Sequence, residues 1–188
     1  MFIIYPEHAK PDAKLGGKAQ HLAALYHTGI AIPAWFVLSA NAFDACLSDT
    51  QRRNHSQANH DYDIVSRLDA LTLSASIRAE LEQAVADLCP DGALVAVRSS
   101  ALDEDGTRHS FAGQLDSFLN VRHAEVADKV IEVWRSAFSE RALAYRRANG
   151  LDAAPQPPAV LIQRMVNADW SGVAFSADPV TGRRDVVV

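Results

Sequence analysis

Two cation-bearing motifs have the residue types that bind phosphate oxygens. The first is Leu15-Gly-Gly-Lys18-Ala19, which stands directly before a stretch with helical apolar spacing. Backbone N–H groups at a helix start carry partial positive charge, and a lysine in the first turn adds a full one. The motif is not a Walker A loop, because Asp12 stands where the first glycine would be and Ala19 replaces the magnesium-binding Ser or Thr. A turn before a helix with a solvated lysine is the alternative interpretation.

The second motif surrounds Arg98. The apolar run from Leu94 to Val97 predicts a buried strand that delivers Arg98 and two serine hydroxyls to its end. After a polar loop, Ser110-Phe-Ala-Gly113-Gln combines small residues with an aromatic one, and a second strand, Phe118 to Val121, anchors it. A guanidinium beside bare backbone N–H groups suits phosphate oxygens. A hairpin whose surface arginine pairs with nearby loop carboxylates is the alternative.

Apolar spacing predicts the helices around both motifs. One helix follows Lys18 and stops at Gly29, and a second, capped by Ser39 or Asn41, runs through Leu47. Further helices are predicted up to Leu88, before Pro90-Asp-Gly92, and from Ala124 to Asn149 with a break near Ser139-Glu-Arg141. The basic cluster Arg141, Arg146, Arg147 indicates either a surface for a partner's phosphates or a solvated helical face.

Strands are predicted on both sides of these helices. The strand-like runs are Met1 to Pro6, Ile30 to Leu38 with Pro33 near its start, Ala159 to Val166 and Ser171 to Ser176. Trp35 and Phe36 are predicted to lie in the core. The last two strands form a meander, and Asp178-Pro-Val-Thr-Gly182 predicts a turn before a third, Asp185 to Val188.

Three segments lack the apolar spacing of packed elements. Asp49 to Asp61 is polar and favours disorder, and the loop from Leu102 to Phe111 is expected to be mobile without ligand. Ala153-Ala-Pro-Gln-Pro-Pro158 predicts a stiff connector, which we interpret as a hinge between two lobes within residues 150–158.

Composition narrows the class of protein. The chain has 188 residues, which the length prior assigns to one domain, and no apolar segment long enough for a membrane span. The N-terminus lacks a signal-peptide pattern, so a cytoplasmic location is expected. A net charge of -5 without a basic stripe argues against nucleic-acid binding. Cys46 and Cys89 are isolated and the histidines show no i, i+4 pattern, so neither a disulfide nor a protein metal site is predicted.

The ordered motifs resemble the N-terminal nucleotide-binding domain of the phosphoenolpyruvate synthase and pyruvate phosphate dikinase family, which includes the rifampin phosphotransferases. The motifs that carry this resemblance are Gly16-Gly-Lys-Ala, Arg98-Ser-Ser-Ala, Glu104-Asp105, Ser110-Phe-Ala-Gly-Gln, Gln163-Arg-Met-Val, Ser171-Gly-Val-Ala-Phe-Ser and Asp178-Pro-Val-Thr-Gly. The chain departs from the family pattern at Leu102-Asp103, where Thr-Ala is usual, and at Gly106-Thr-Arg-His, where Leu-Pro-Asp-Ala is more typical. The segment from Ile30 to Leu38 also lacks a second Pro and a Gly.

The resemblance implies an α+β fold that is the N-terminal part of an ATP-grasp-like domain over residues 1–188, with ATP between two lobes. It implies that Lys18 and Arg98 neutralise phosphate charge, that the backbone around Gly113 with Ser117 and Phe118 covers the phosphates, and that Gln163 lies on the adenine side of the cleft. Mg²⁺ is expected with ligands outside this chain. The family splits ATP to AMP and passes the β-phosphoryl to a histidine on a separate swivelling domain of the same protein, which delivers it to pyruvate or another acceptor.

Other classes of function remain open. A non-catalytic nucleotide sensor binds ATP without an acceptor, a structural paralogue binds nothing, and an antibiotic phosphotransferase of the rifampin type uses a different acceptor. Because phosphoryl transfer needs bridging metal ions and an aligned acceptor, these residues alone are expected not to turn over ATP at a useful rate.

Overall fold

The computed structural model describes residues 2–9, 15–48, 68, 71–101, 113–151, 155–175, 177–178, 181 and 183–184. Within these ranges the helices are α1 (Gly17–His27), α2 (Asn41–Cys46), α3 (Ala75–Leu88), α4 (Val126–Ser136) and α5 (Glu140–Ala148). The strands are β1 (Ile3–Ile4), β2 (Trp35–Leu38), β3 (Val95–Ser100), β4 (Ser117–Val121) and β5 (Ala159–Arg164). Short 3-10 turns occupy Pro6–His8 and His123–Glu125. This mixture of helices with one sheet confirms the α+β class.

The described strands form one antiparallel sheet in the order β1-β2-β5-β3-β4. Strand β5 is the last of the described strands in the chain, yet it lies in the middle of the sheet, between β2 and β3. Its Ile162 pairs with Phe36 on one side and with Val97 on the other. Because all three side chains are fully buried, this row forms the centre of the sheet.

Different elements pack against the two faces of the sheet. Successive residues of each strand point to opposite faces, so each strand contributes side chains to both. The main core lies between the sheet and helices α2, α3 and α4, and its strand residues include Phe36, Val97 and Ile162. A smaller apolar cluster lies on the opposite face, where Ala19 and Ala23 of α1 pack with residues of β2 and β5. Trp35 is 2% exposed and Phe36 is 0% exposed, which confirms both as core residues.

The helix ends follow the predicted signals in most places. Helix α1 ends before Gly29, which has a φ of 77°, and the predicted break before α5 is an N-cap, since Ser139 Oγ accepts a hydrogen bond from the Ala142 amide at 3.2 Å. Helix α2 differs, because neither Ser39 nor Asn41 caps it with a side chain. The Ala42 amide bonds instead to the backbone carbonyl of Ser39 at 3.0 Å.

Two strand predictions extend beyond what the structure contains. Residues 30–34 are not part of β2, although the Arg164 amide donates to the Ala34 carbonyl at 2.8 Å. Residues 171–175 have no regular secondary structure, and Trp170 before them is 93% exposed. A strand needs a neighbour to satisfy its backbone groups, and residues 171–175 have no neighbouring strand among the described residues.

The predicted turn after this segment is present at the described positions. The Asp178 amide donates to the Arg183 carbonyl at 2.7 Å, and the Thr181 amide donates to Asp178 Oδ1 at 2.9 Å. The disorder predicted at 49–61, the mobility predicted at 102–111 and the strand predicted at 185–188 lie outside the described residues.

The proline-rich connector leads directly into the centre of the sheet. Pro155, Pro157 and Pro158 are buried, and the Trp134 indole donates to the Pro158 carbonyl at 3.1 Å. Strand β5 then pairs with β2 and β3, which precede the connector in the chain. The segment 150–158, where a hinge is predicted, is therefore followed by a strand that belongs to the same sheet as the strands before it.

Candidate functional site

Arg98 lies on the sheet face that α1 packs against. It follows Val97, which points into the main core, so alternation directs Arg98 to the other side. Its cross-strand neighbours are Leu161 on β5 and Ser117 on β4. We call the part of the sheet that carries Arg98, Ser117 and Gln163 the Arg98 face.

The first turn of α1 is bonded directly to the end of β3. The Gly17 amide donates to the Ala101 carbonyl at 3.1 Å, and the Ala19 amide donates to the buried hydroxyl of Ser100, also at 3.1 Å. Since Lys18 lies between these two anchored residues, the structure brings the lysine motif to the strand end that carries Arg98. The two motifs are separated by 81 residues in the chain, measured from Ala19 to Ser100.

Gly16 makes this close approach of helix and strand sterically feasible. A Cβ at this position would lie 2.1 Å from the Ser100 carbonyl oxygen, far inside van der Waals contact. Its φ of 73° and ψ of 162° also belong to a region that is essentially restricted to glycine. The glycine is therefore required by backbone packing against β3.

This packing corrects one part of the sequence interpretation. The amides at the helix start were expected to be available to an anion, but those of Gly17 and Ala19 are used by Ala101 and Ser100. The cause is the glycine-mediated contact itself, which brings carbonyl and hydroxyl oxygens of β3 within reach of these amides.

Ser117 and Gln163 lie beside Arg98 on the Arg98 face. Ser117 pairs directly with Arg98, so their Cβ atoms are about 5 Å apart by the usual geometry of antiparallel pairs. Gln163 pairs with Ala96, two residues before Arg98 on the same face. Among the described residues, no hydrogen bond or ion pair engages these three side chains. Polar groups that have no partner among the described residues are suited to a ligand.

Gly113 stands at the start of the turn that leads into β4. It is exposed, has a φ of 74°, and a Cβ built on it would have no described residue within 4 Å. Gly16, in contrast, is packed against the backbone of β3. The backbone at Gly113 is therefore accessible from outside the protein.

The structure does not bring Phe118, the remaining predicted site residue, to the Arg98 face. Its register partner is Val97, and its ring packs against the main core with Lys129 Nζ 4.5 Å above the centroid. A bulge in β4, where Asn120 has a φ of 57°, lets Val121 point to the same side as Phe118 despite a spacing of three residues. Because consecutive strand residues alternate, Phe118 and Ser117 lie on opposite faces.

Sequence reasoning missed the groups that hold the turn before β4. Arg141 Nη2 donates to the Gln114 carbonyl and to Asp116 Oδ1, both at 3.0 Å. Arg146 is only 7% exposed. Arg146 is therefore not part of a solvated helical face, whereas Arg141 is 55% exposed and also binds the turn. The contacts join residues 25 and 27 positions apart in the chain, so no local pattern signals them.

A second missed pair fixes the far end of β5. Arg164 binds both carboxylate oxygens of Asp91, with 2.8 Å between Nη1 and Oδ1, and the Met165 amide donates to the Leu94 carbonyl at 2.9 Å. The hydrogen bonds from Arg164 lower the pKa of Asp91 below its usual value. Gln163 is therefore adjacent to a residue anchored by a bidentate ion pair.

Neither a metal cluster nor a membrane-spanning helix is present in the part of the chain that the structure describes. There, no three His, Cys, Asp or Glu side chains stand close enough together to hold a metal ion. None of the described helices has the length and apolar character needed to cross a bilayer. Cys46 and Cys89 are free thiols, and burial raises the pKa of each.

A comparison with family models identifies the class of domain. The model described as the pyruvate phosphate dikinase AMP/ATP-binding domain matches residues 12–188. The chain belongs to this family. Both cation motifs and Gln163 lie within the matched residues, so the family assignment confirms the resemblance on which their interpretation depends.

The chain is similar to curated proteins whose names indicate different reactions. The chain is 41% identical to prodigiosin synthesizing transferase PigC of Serratia marcescens, covering 93% of this chain and 19% of the relative. It is 37% identical to a rifampicin phosphotransferase of Streptomyces sviceus, covering 93% and 22%. It is 32% identical to a probable phosphoenolpyruvate synthase of Methanothermobacter thermautotrophicus, covering 98% and 30%. The chain thus spans less than a third of the length of these relatives.

Proposed function

We propose that the Arg98 face, together with the first turn of α1, binds the phosphates of ATP. The observation that carries this proposal is the pair of hydrogen bonds from Gly17 to Ala101 and from Ala19 to Ser100. They bring Lys18 to the strand end that carries Arg98. Two cations held by backbone contacts suit a polyphosphate, which has several charged oxygens.

The other predicted residues have roles that agree with their positions. Ser117 is opposite Arg98 and offers a hydroxyl donor, while the exposed backbone of Gly113 can approach a phosphate without a side chain in the way. Gln163, next to Ala96 in the sheet, carries both a donor and an acceptor for the adenine side of the ligand. Phe118 contributes indirectly, since its ring fixes β4 against the main core.

The reaction that follows from this family is a dikinase-type phosphotransfer. ATP would supply a β-phosphoryl group that passes to a histidine of a swivelling domain in the same full-length protein, and then to pyruvate or another small acceptor. The chain would be the N-terminal portion of an ATP-grasp-like domain over residues 1–188. Lys18 and Arg98 would balance charge on the transferring phosphate, which is the main task of protein groups in such reactions.

Neither the acceptor nor the metal follows from the described residues. The relatives include a phosphoenolpyruvate synthase, a rifampicin phosphotransferase and a prodigiosin synthesizing transferase, whose names indicate different reactions. Mg²⁺ accompanies ATP in phosphoryl transfer. The described residues contain no group of three carboxylates, histidines or cysteines that fits the ion, and none of the roles above depends on it.

Calorimetric titration of the full-length protein with ATP and Mg²⁺ tests the proposal. Arg98→Ala should weaken binding by about 1.5–3 kcal/mol, or roughly 10- to 150-fold in Kd, because a hydrogen bond to a charged group is lost. Arg78→Ala is the matched control, since Arg78 is a partly exposed arginine in an i, i+4 pair with Glu82 on α3, a helix of the opposite face. Equal affinities in the wild type and Arg98→Ala, with the fold intact, would remove Arg98 from the site.

A further inference from the structure

The turn that carries Gly113 is tied to α5 by one arginine. Nη2 of Arg141 donates to the backbone carbonyl of Gln114 and to a carboxylate oxygen of Asp116, each at 3.0 Å. One nitrogen therefore bridges two residues of the turn, one through its main chain and the other through its side chain. A bridge of this kind restricts the turn more than a contact to a single side chain does.

The backbone of Asp116 is held from two further directions. Its amide donates at 3.0 Å to the hydroxyl of Ser136, a residue that is 5% exposed and donates in turn to the Val133 carbonyl at 2.7 Å. Its carbonyl accepts a bond from the Ser99 amide at 3.4 Å. Asp116 thus joins α4, α5 and β3 at a single point.

The residue after this junction is Ser117, which stands directly opposite Arg98. The position of Asp116 therefore determines where β4 begins and which residue faces Arg98. A slip of one residue would turn Ser117 away and place its neighbour there. Gly113 lies three residues before Asp116 in the same turn, so the contacts that hold Gln114 and Asp116 also restrict the backbone next to Gly113.

The ion pair between Arg141 and Asp116 is exposed, so its loss should change the geometry of the turn more than the free energy of unfolding. The side chains of Arg141 and Asp116 are 55% and 46% exposed, and ion pairs in such surroundings contribute little to folding free energy. A contact that adds little to stability can still fix local geometry at a binding site. A substitution at Arg141 is therefore expected to alter the position of the turn while leaving the unfolding free energy nearly unchanged.

We propose that Arg141 is a positioning residue for the phosphate site, which it supports by holding Gln114 and Asp116 so that Ser117 stands beside Arg98 and the turn that carries Gly113 stays in place before β4. This inference rests on the proposed function of the Arg98 face. Arg141 itself binds the turn and leaves the ligand to Arg98 and Lys18. Its loss lets the turn move away and lowers affinity for ATP without removing any group that touches the nucleotide.

The test compares variants of the full-length protein by calorimetry with ATP and Mg²⁺ and by urea unfolding. Arg141→Ala should raise the Kd for ATP by roughly 3- to 30-fold, within the range for residues that modulate a site from outside it. Its unfolding midpoint should match that of the control Arg78→Ala, which breaks an exposed pair elsewhere. Arg141→Lys keeps the charge and a multiple donor, so it should recover most of the lost affinity.

Each outcome bears on one of the two proposals. If Arg98→Ala weakens binding while Arg141→Ala behaves like Arg78→Ala, the positioning role is overturned and the ATP site stands. If Arg98→Ala is without effect, the proposed function fails and the positioning role fails with it. Loss of affinity in Arg141→Ala without recovery in Arg141→Lys also contradicts the inference.

Should Arg141→Ala fail to fold, Asp116→Ala makes the same test from the other side of the pair, since it keeps the arginine.

Discussion

The amide of Gly17 donates to the carbonyl of Ala101 at 3.1 Å, and this bond joins the start of α1 to the end of β3. It is one of a set of contacts that includes the Ala19 amide with the Ser100 hydroxyl and the close approach of Gly16 to the Ser100 carbonyl. The relative position of Lys18 and Arg98 depends on these backbone contacts. Substitutions at the contact points therefore affect both stability and the proposed site.

Replacement of Gly16 by alanine should destabilise the fold strongly. The new Cβ would lie 2.1 Å from the Ser100 oxygen, and the backbone conformation is restricted to glycine. We expect a loss of about 3–5 kcal/mol in the free energy of unfolding, as strain and overpacking add. Urea denaturation measures this loss.

Gly29→Ala is the matched control for this substitution. Gly29 also has a positive φ, of 77°, but a Cβ there would meet nothing within 4 Å. Only the conformational cost of about 1–2 kcal/mol is expected. Equal losses in the two variants would show that the contact between Gly16 and β3 is looser than the structure indicates.

Removal of the Ser100 hydroxyl should weaken both the fold and ATP binding. In Ser100→Ala the buried Ala19 amide loses its acceptor, which costs about 1–3 kcal/mol. The first turn of α1 then moves, and Lys18 moves with it. Thermal unfolding and ATP titration of the same preparation measure the two effects.

Ser74→Ala provides the comparison, because Ser74 Oγ accepts a bond from the Ile77 amide at the start of α3, on the other face of the sheet. It should cost about 1 kcal/mol of stability, as loss of a helix cap does. Its affinity for ATP should equal that of the wild type. A fall in affinity in both serine variants would attribute the effect to stability alone.

Features of the fold that depend on neighbouring residues could be predicted from the sequence, whereas features that depend on distant residues could not. The end of α3 and the break before α5 follow from apolar spacing and from Ser139, which act within one or two turns of helix. The central position of β5 follows from no local pattern, since its partners β2 and β3 are distant in sequence. The segment at 171–175 has strand-like residues, but propensity does not supply the neighbouring strand that pairing requires.

The candidate site shows the same division. That Lys18 stands in the first turn of a helix and Arg98 near the end of a strand was predictable, because glycines before a helical apolar pattern and a short apolar run before an arginine are visible in the sequence; their role toward a phosphate stays a prediction. The separation of Ser117 from Phe118 was also predictable in principle, since neighbours in a strand alternate. The bridge from Arg141 to Gln114 and Asp116 was not, because it depends on how α5 packs against the turn.

The ion pair between Asp91 and Arg164 should make stability depend on pH in the acid range. Hydrogen bonds from Arg164 lower the pKa of Asp91 in the folded protein, so the unfolded chain takes up the proton first as the pH falls. The contribution is fully present above the ordinary aspartate pKa of about 4 and is lost as the pH falls through the lowered value.

Asp91→Asn removes this contribution and leaves the size of the side chain unchanged. The difference in unfolding free energy between the wild type and Asp91→Asn should shrink as the pH is lowered from about 6 towards 2. Urea titrations at several pH values measure it. A difference that stays constant over this range would show that Asp91 titrates normally.

The two buried tryptophans should respond differently to replacement by phenylalanine. Trp134 is 0% exposed and its indole N–H donates to the Pro158 carbonyl at 3.1 Å, whereas Trp35 is 2% exposed and its Nε1 has no partner among the described residues. Both substitutions remove similar volume, but only Trp134→Phe deprives a buried carbonyl of its donor. We expect it to cost about 1–3 kcal/mol more than Trp35→Phe, since an unpaired N–H contributes no bond to lose. Urea unfolding of both variants measures the difference, and equal costs would indicate that Trp35 Nε1 has a partner that the described residues do not include.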